Sequence, residues 1–205
     1  MRMEFRLAGS GGQGVILAGV ILAEAAVSYE GLNAVQSQSY GPESRGGASK
    51  CEVIISDGEI YFPKVISPDV MLIMNQSSWN KYIHDLKKGG IVVADSTLVK
   101  ELTPVDGHVF PFEITGSAIH EFGRPVVANI IGLGCLAGVT GVISKEAVRK
   151  AIMKRVPKGT EELNERALEL GYQMGIRKTL EFTGRGESNG GEDFEPIRDR
   201  SKASV

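Results

Sequence analysis

Two stretches of this sequence combine residue types suited to an anionic ligand. The first is Gly9-Ser10-Gly11-Gly12-Gln13-Gly14, in which Gly9, Gly11 and Gly14 fit the spacing G-x-G-x-x-G. Glycines let the chain turn tightly and bring backbone N–H groups close to a ligand, and a helix opening behind them presents partial positive charge to a phosphate. Gly12 adds a fourth permissive residue, and Gln13 puts a side-chain amide at the helix mouth. A dinucleotide site also wants an acid at the end of the second strand. Here that region reads Gln36-Ser37-Gln38-Ser39, and Glu30 falls before the strand. The loop alone leaves three readings open: phosphate or pyrophosphate binding, a structural strand–helix junction, and an autonomous NAD or FAD enzyme. The missing acid counts against the third.

The second stretch runs from Gln38 to Ala48 and gathers Ser39, Tyr40, Gly41, Pro42, Glu43, Ser44, Arg45, Gly46 and Gly47. It places an aromatic, a carboxylate, a guanidinium and three glycines in one loop near the carboxyl end of the second strand. That edge of an open α/β sheet is where ligands bind. Arg45 suits bidentate pairing with a phosphate or carboxylate, and Glu43 suits fixing Arg45 or a partner group. An internal Glu–Arg pair bracing the loop is the plainer alternative.

Other chemistry is sparse. His84, His108 and His120 are scattered, and no nucleophile–base pair stands out. Cys51 and Cys135 lie far apart in apolar stretches without CxxC spacing, so the chain alone has too few ligands for an iron–sulfur cluster or structural zinc. They read as buried free thiols in a reducing compartment.

The elements that must carry the two loops follow from hydrophobic pattern and turn signals. Residues 4–8 read as a strand, 14–30 as a helix and 33–39 as a second strand, with a polar Gly-rich loop from Tyr40 to Ala48. Residues 51–55 and 59–62 read as a hairpin across Ser56-Asp57-Gly58, since Asp-Gly favours tight hairpin turns. Residues 70–74 and 91–94 are continuous apolar runs of buried-strand type, with a helix over 76–86 between them and a weaker strand at 108–112. Helices are expected over 115–121, 126–138, 144–154 and 160–179. Ser144 and Thr160 can cap the last two, and Glu161 and Glu162 sit at the positive end of the second. The pattern predicts an α/β fold: a three-layer α/β/α domain with a mainly parallel sheet and a Rossmann-like glycine loop after the first strand. The domain is expected over 1–182. From 183 to 205 glycines mix with charged residues and serine, a composition expected to stay disordered.

Bulk properties agree with one soluble domain. The 205 residues are 42% hydrophobic and 23% charged, with a formal charge of −2 that gives no reason to expect nucleic acid or an acidic membrane. Residues 15–27 hold a single charge, Glu24. The run is too short to span a membrane and follows a strand and glycines rather than a basic leader. It reads as a helix buried on every side, within its own domain or against another chain, in a cytoplasmic protein.

Gly-Ser-Gly-Gly-Gln-Gly-Val at 9–15 and Gln-Ser-Tyr-Gly-Pro-Glu-Ser-Arg-Gly-Gly-Ala at 38–48, in that order, resemble the γ subunit of the 2-oxoacid:ferredoxin oxidoreductases, most of all the 2-oxoglutarate form. The resemblance continues through Val127-Ala128-Asn129, Leu133-Gly134, Pro157-Lys158-Gly159-Thr160 and Leu163-Asn164, covering about residues 4–175. It implies a subunit inactive by itself, in a heterotetrameric complex that decarboxylates a 2-oxoacid oxidatively with coenzyme A. The products are an acyl-CoA, carbon dioxide and reduced ferredoxin. Thiamine diphosphate and magnesium are implied between partner α and β chains, and iron–sulfur clusters in β and a ferredoxin-like δ chain. For this chain the resemblance implies coenzyme A binding and packing against the catalytic chains. Pyruvate, branched-chain and indolepyruvate complexes, or a purely structural subunit, remain alternatives.

Overall fold

A computed structural model describes residues 1–39 and 48–189. The chain forms β1 (Arg2–Ser10), α1 (Val15–Tyr29), β2 (Asn33–Ser39), β3 (Ala48–Ser56), β4 (Val70–Ile73), α2 (Gln76–Tyr82), β5 (Gly90–Asp95), β6 (Gly107–Phe112), α3 (Ile114–Phe122), α4 (Ala128–Thr140), α5 (Lys145–Arg155) and α6 (Glu161–Asn189). Single 3-10 turns follow α2 (Ile83–Asp85) and precede α4 (Pro125–Val127).

The strands form one sheet in the order β2-β3-β1-β4-β5-β6. β1, β4, β5 and β6 pair in parallel, while β3 runs antiparallel to both β1 and β2. Five strands therefore share one direction and β3 alone is reversed, which bears out the mainly parallel sheet. β4 and β5 are buried at every position, as strands covered on both faces must be.

The two covering layers are unequal. Phe5, Leu7, Val53, Leu72, Val93 and Phe110 face the main core, which α1, α3, α4, α5 and α6 close. Met71, Ile73, Val92 and Ala94 face a smaller cluster under Trp79, Tyr82, Ile83 and Val99. On that thinner side Arg6 is buried, held by Glu52 at 2.7 Å and by Asp85, with its guanidinium carbon 5.4 Å from the Tyr82 ring centre. A buried guanidinium is tolerable only when its donors are met in this way.

Three expectations change. The 51–55/59–62 hairpin does not form: β3 already has β1 and β2 on its two sides, so no edge is left for a partner. Residues 59–62 are irregular, and Asp57 instead accepts the N-terminal ammonium of Met1 at 2.6 Å. Within this chain α4, not α1, is the helix buried on every side, so of the two expectations for α1 only burial against another chain stands. Inside this chain α1 buries Val15, Ala18, Ile21, Leu22, Ala25 and Ala26, while Ile16, Val20 and Ala23 are half-covered and Val27 is exposed. Finally, the last helix runs on to Asn189 rather than ending near 179; residues 190–205 lie outside the described residues.

α4 can be surrounded because glycines let α6 approach its backbone. A Cβ at Gly171 would lie 2.0 Å from the Ile131 carbonyl oxygen, and one at Gly134 would lie 2.6 Å from that of Leu168. Gly138 and Gly175 meet one turn further along.

Candidate functional site

The glycine loop stands at the carboxyl end of β1. Gly9 and Ser10 belong to the strand, in register with Ser49 and Ala48 of β3. The turn proper closes with the Gln13 N–H donating to the Ser10 carbonyl at 3.1 Å, and Gly14 caps α1 in the left-handed conformation, φ 73°. Gly12 also has positive φ, 93°, a region open to glycine and costly for other residues.

Gln13 does not reach out from the helix mouth. Its Oε1 accepts the Ser10 N–H at 2.6 Å and its Nε2 donates to the Met74 carbonyl at 3.1 Å, so the side chain folds back and ties the loop to the end of β4. Gly9 makes the room: a Cβ there would sit 2.7 Å from Gln13 Oε1. Gly14 does the same for Asn129 on α4, whose Nδ2 donates to the Gly14 carbonyl at 3.2 Å.

With Gln13 turned inward, what faces outward is backbone. Gly11 and Gly12 are exposed, and a Cβ at Gly12 would meet nothing within 4 Å. The first helical bond runs from Ala18 to the Gly14 carbonyl, so the N–H groups of Val15, Ile16 and Leu17 stand outside the ladder. No acidic residue lies in the first turn of α1. This arrangement offers N–H donors and a helix end of positive sign to an anion.

Of the second stretch, Ser39 is exposed at the end of the edge strand β2, in register with Lys50. Tyr40, Gly41, Pro42, Glu43, Arg45, Gly46 and Gly47 lie outside the described residues. Their anchors do not: Ser10 is opposite Ala48, and Ala8 is opposite Lys50, which pairs on its other side with Ser39. The connection thus leaves and re-enters the sheet at the glycine-loop end.

The dinucleotide reading loses its geometric basis here. β3 is interposed between β1 and β2, so the strand end beside the glycine loop carries Ala48 and Ser49, neither an acid. Glu30 is spent elsewhere, its Oε1 accepting the Ser144 N–H at 3.0 Å.

Two groups at this end of the sheet had no visible signal in the sequence beyond their residue types. Asn75 caps α2 by accepting the Ser78 N–H at 2.8 Å, and its Nδ2 donates to Ser10 Oγ and to Gln13 Oε1. Asp95, fully buried at the end of β5, accepts N–H groups from Thr97 at 3.0 Å and Thr115 at 3.2 Å, and the Thr115 hydroxyl. Thr97 Oγ1 accepts the Gly116 N–H at 2.9 Å. β5 therefore caps α3 from outside the helix, which no local cap rule in the sequence of α3 reveals.

The histidines take no part. His84 and His120 are exposed, with His120 2.8 Å from Glu121, and His108 packs edge-on against Phe182. Both cysteines are buried, and burial pushes both thiols up. Among the described residues no group of three or more His, Cys, Asp or Glu is placed to hold a metal ion, and no helix is long and apolar enough to cross a membrane.

Known proteins of this build are informative. Residues 4–174 match the family model described as pyruvate ferredoxin/flavodoxin oxidoreductase. A 2-oxoglutarate synthase subunit KorC from Methanocaldococcus jannaschii is 51% identical over 176 residues, 85% of this chain and 94% of that one. The solved keto/oxoacid ferredoxin oxidoreductase γ subunit from Geobacter sulfurreducens superposes with a TM-score of 0.77 at 49% identity, covering 85% of this chain and 99% of that one. The 2-oxoglutarate:ferredoxin oxidoreductase from Magnetococcus marinus, with 2-oxoglutarate, coenzyme A and succinyl-CoA bound, shares the fold at a TM-score of 0.75 and 21% identity, over 86% of this chain and 31% of that one.

Proposed function

The chain belongs to the pyruvate ferredoxin/flavodoxin oxidoreductase family, and from that premise we propose that it is the γ subunit of a 2-oxoglutarate:ferredoxin oxidoreductase. The complex would oxidatively decarboxylate 2-oxoglutarate with coenzyme A to succinyl-CoA and carbon dioxide, passing electrons to ferredoxin. Similarity at about half identity to KorC subunits supports the choice of 2-oxoacid.

The observation that carries this chain's own share is the outward-facing backbone at Gly11 and Gly12, backed by the amino end of α1. It fits a phosphate of coenzyme A. Open space at Gly12 admits the ligand, the N–H groups of the loop and first turn supply donors, and the helix end supplies the sign. In this reading Ser39, Tyr40, Gly41, Pro42, Glu43, Arg45, Gly46 and Gly47 contribute to binding the same ligand, since the flanking Ser39 and Ala48 are held in register at the glycine-loop end of the sheet. Coenzyme A supplies the thiol that accepts the acyl group; this chain holds and orients it and takes no proton or electron. Thiamine diphosphate with magnesium and the iron–sulfur clusters belong to the α, β and δ partners.

Partner packing is the chain's second task. On α1 the half-covered Val20 and Ala23 and the exposed Val27, beside Ala34 and Gln36 of β2, line a cleft of about 330 Å³, and β2 is the end strand of the sheet among the described residues. An uncovered strand edge invites pairing unless something covers it, and we assign this face to a catalytic partner chain.

Expression of the chain alone and together with its partners tests the proposal. Dye reduction dependent on 2-oxoglutarate is expected only from the assembled complex. Such activity from the isolated chain would overturn the assignment.

A further inference from the structure

We infer that Asn75 is a positioning residue for the glycine loop, fixing its outward-facing backbone through Ser10 and Gln13. The inference rests on the anion-binding reading of that loop.

The hydrogen-bond inventory is what distinguishes Asn75 from an ordinary helix cap. Its Oδ1 accepts the Ser78 N–H at 2.8 Å, which any capping residue at the head of α2 would do. Capping leaves two N–H donors on Nδ2, and both go to the loop: one to Ser10 Oγ, the other to Gln13 Oε1 at 3.2 Å. Because Oδ1 is committed to a backbone donor, the amide cannot be turned round.

Gln13 is committed in the same way. Its Oε1 takes the Ser10 N–H and Asn75 Nδ2, and its Nε2 gives to the Met74 carbonyl. The loop is therefore spanned by two interlocked amides reaching from the ends of β1 and β4. Both polar side chains of the turn, Ser10 and Gln13, are engaged by Asn75, so what the loop presents outward at Gly11 and Gly12 is main chain.

An aspartate at 75 would keep the cap, and the Ser10 hydroxyl could turn to donate to it, but Gln13 Oε1 would face a charged acceptor in place of a donor. It would also place negative charge under a loop that holds an anion. The requirement is thus for an amide, not for a cap.

The test uses the assembled complex and reads the coenzyme A KM, kcat and thermal midpoint of four variants. Asn75→Ser keeps a capping oxygen but cannot span Ser10 and Gln13. Asn75→Asp keeps the cap and reverses the donor. Gln76→Ala weakens the mounting of α2 from the other side, where Gln76 Oε1 accepts the Lys100 and Glu101 N–H groups at 2.8 and 2.9 Å, and leaves the loop alone. Gly12→Val tests the loop directly. The inference expects the coenzyme A KM to rise about tenfold for Asn75→Ser, the size of one or two lost hydrogen bonds, and further for Asn75→Asp. It expects kcat to hold for both, and Gln76→Ala to lower the thermal midpoint with KM unchanged. An unchanged KM in Asn75→Ser while Gly12→Val raises it would overturn the positioning role alone. Unchanged KM in both would overturn the anion reading and this inference with it. A KM that rises equally in Asn75→Ser and Gln76→Ala would reduce Asn75 to a purely structural part.

Discussion

Asn129 occupies the space that a side chain at Gly14 would fill: a Cβ there would lie 2.5 Å from Asn129 Nδ2, which donates instead to the Gly14 carbonyl. One contact thus joins the head of α1 to the head of α4. Replacing Gly14 by alanine meets both this clash and the left-handed backbone. It should cost at least about 2 kcal/mol in urea denaturation. Gly31→Ala has the same kind of backbone, φ 68°, but open surroundings, and should cost only about 1 kcal/mol. Equal losses at the two sites would mean that Asn129 gives way freely.

The approach of α6 to α4 makes a sharper demand. A methyl group at Gly171 would sit 2.0 Å from the Ile131 carbonyl oxygen, with backbone on both sides. Gly171→Ala should therefore destabilise by about 3 kcal/mol or more, or abolish folding. Gly58→Ala, which meets nothing within 4 Å and has no left-handed backbone, is the control. A thermal midpoint for Gly171→Ala within a few degrees of the parent would show that the helices can part without loss.

The glycine turn, the order of its flanking elements and the buried strands β4 and β5 were legible in the sequence because each is written locally, in glycine spacing or in unbroken apolar runs. What escaped was written across the fold. Gln13 looks like a ligand-facing amide until β4 supplies the Met74 carbonyl that turns it inward. Asp57-Gly58 reads as a hairpin turn until both edges of β3 are taken. The full burial of α4 was not read from its apolar run, because composition does not record that Gly134 and Gly138 will meet Gly171 and Gly175.

Neither thiol should react in the native protein. Cys51 and Cys135 are fully buried, and desolvation raises both above the ordinary thiol value, against a weaker opposing contact from Gln36 at Cys51. Only thiolate attacks a disulfide reagent. Titration with an aromatic disulfide at neutral pH should find no fast thiol on the folded chain and two in guanidinium. One fast thiol without denaturant would place a cysteine at the surface.

Glu146 should stay ionised in moderate acid. Hydrogen bonds from Arg149, with the charges of Arg149 and Lys150, lower its carboxyl to about 2 from the usual 4.5. A depressed carboxyl stabilises the fold above its unfolded value, and that contribution disappears as pH falls from 4.5 towards 2. A carbon-detected NMR titration should show the Glu146 carboxylate still mostly ionised near ~pH 3. A midpoint at the ordinary glutamate value would show that Arg149 does not hold it in solution.

The claim that this chain binds coenzyme A through its glycine loop is tested most directly by the coenzyme A KM of the complex assembled with Gly12→Val. At Gly12 an added Cβ meets nothing within 4 Å among the described residues and enters the space assigned to the ligand. Gly31→Val carries comparable backbone strain at the far end of α1 and corrects for lost stability. The prediction is a KM raised at least about tenfold by Gly12→Val alone, with assembly and the 2-oxoglutarate KM unchanged. A coenzyme A KM equal to that of the parent complex would contradict it.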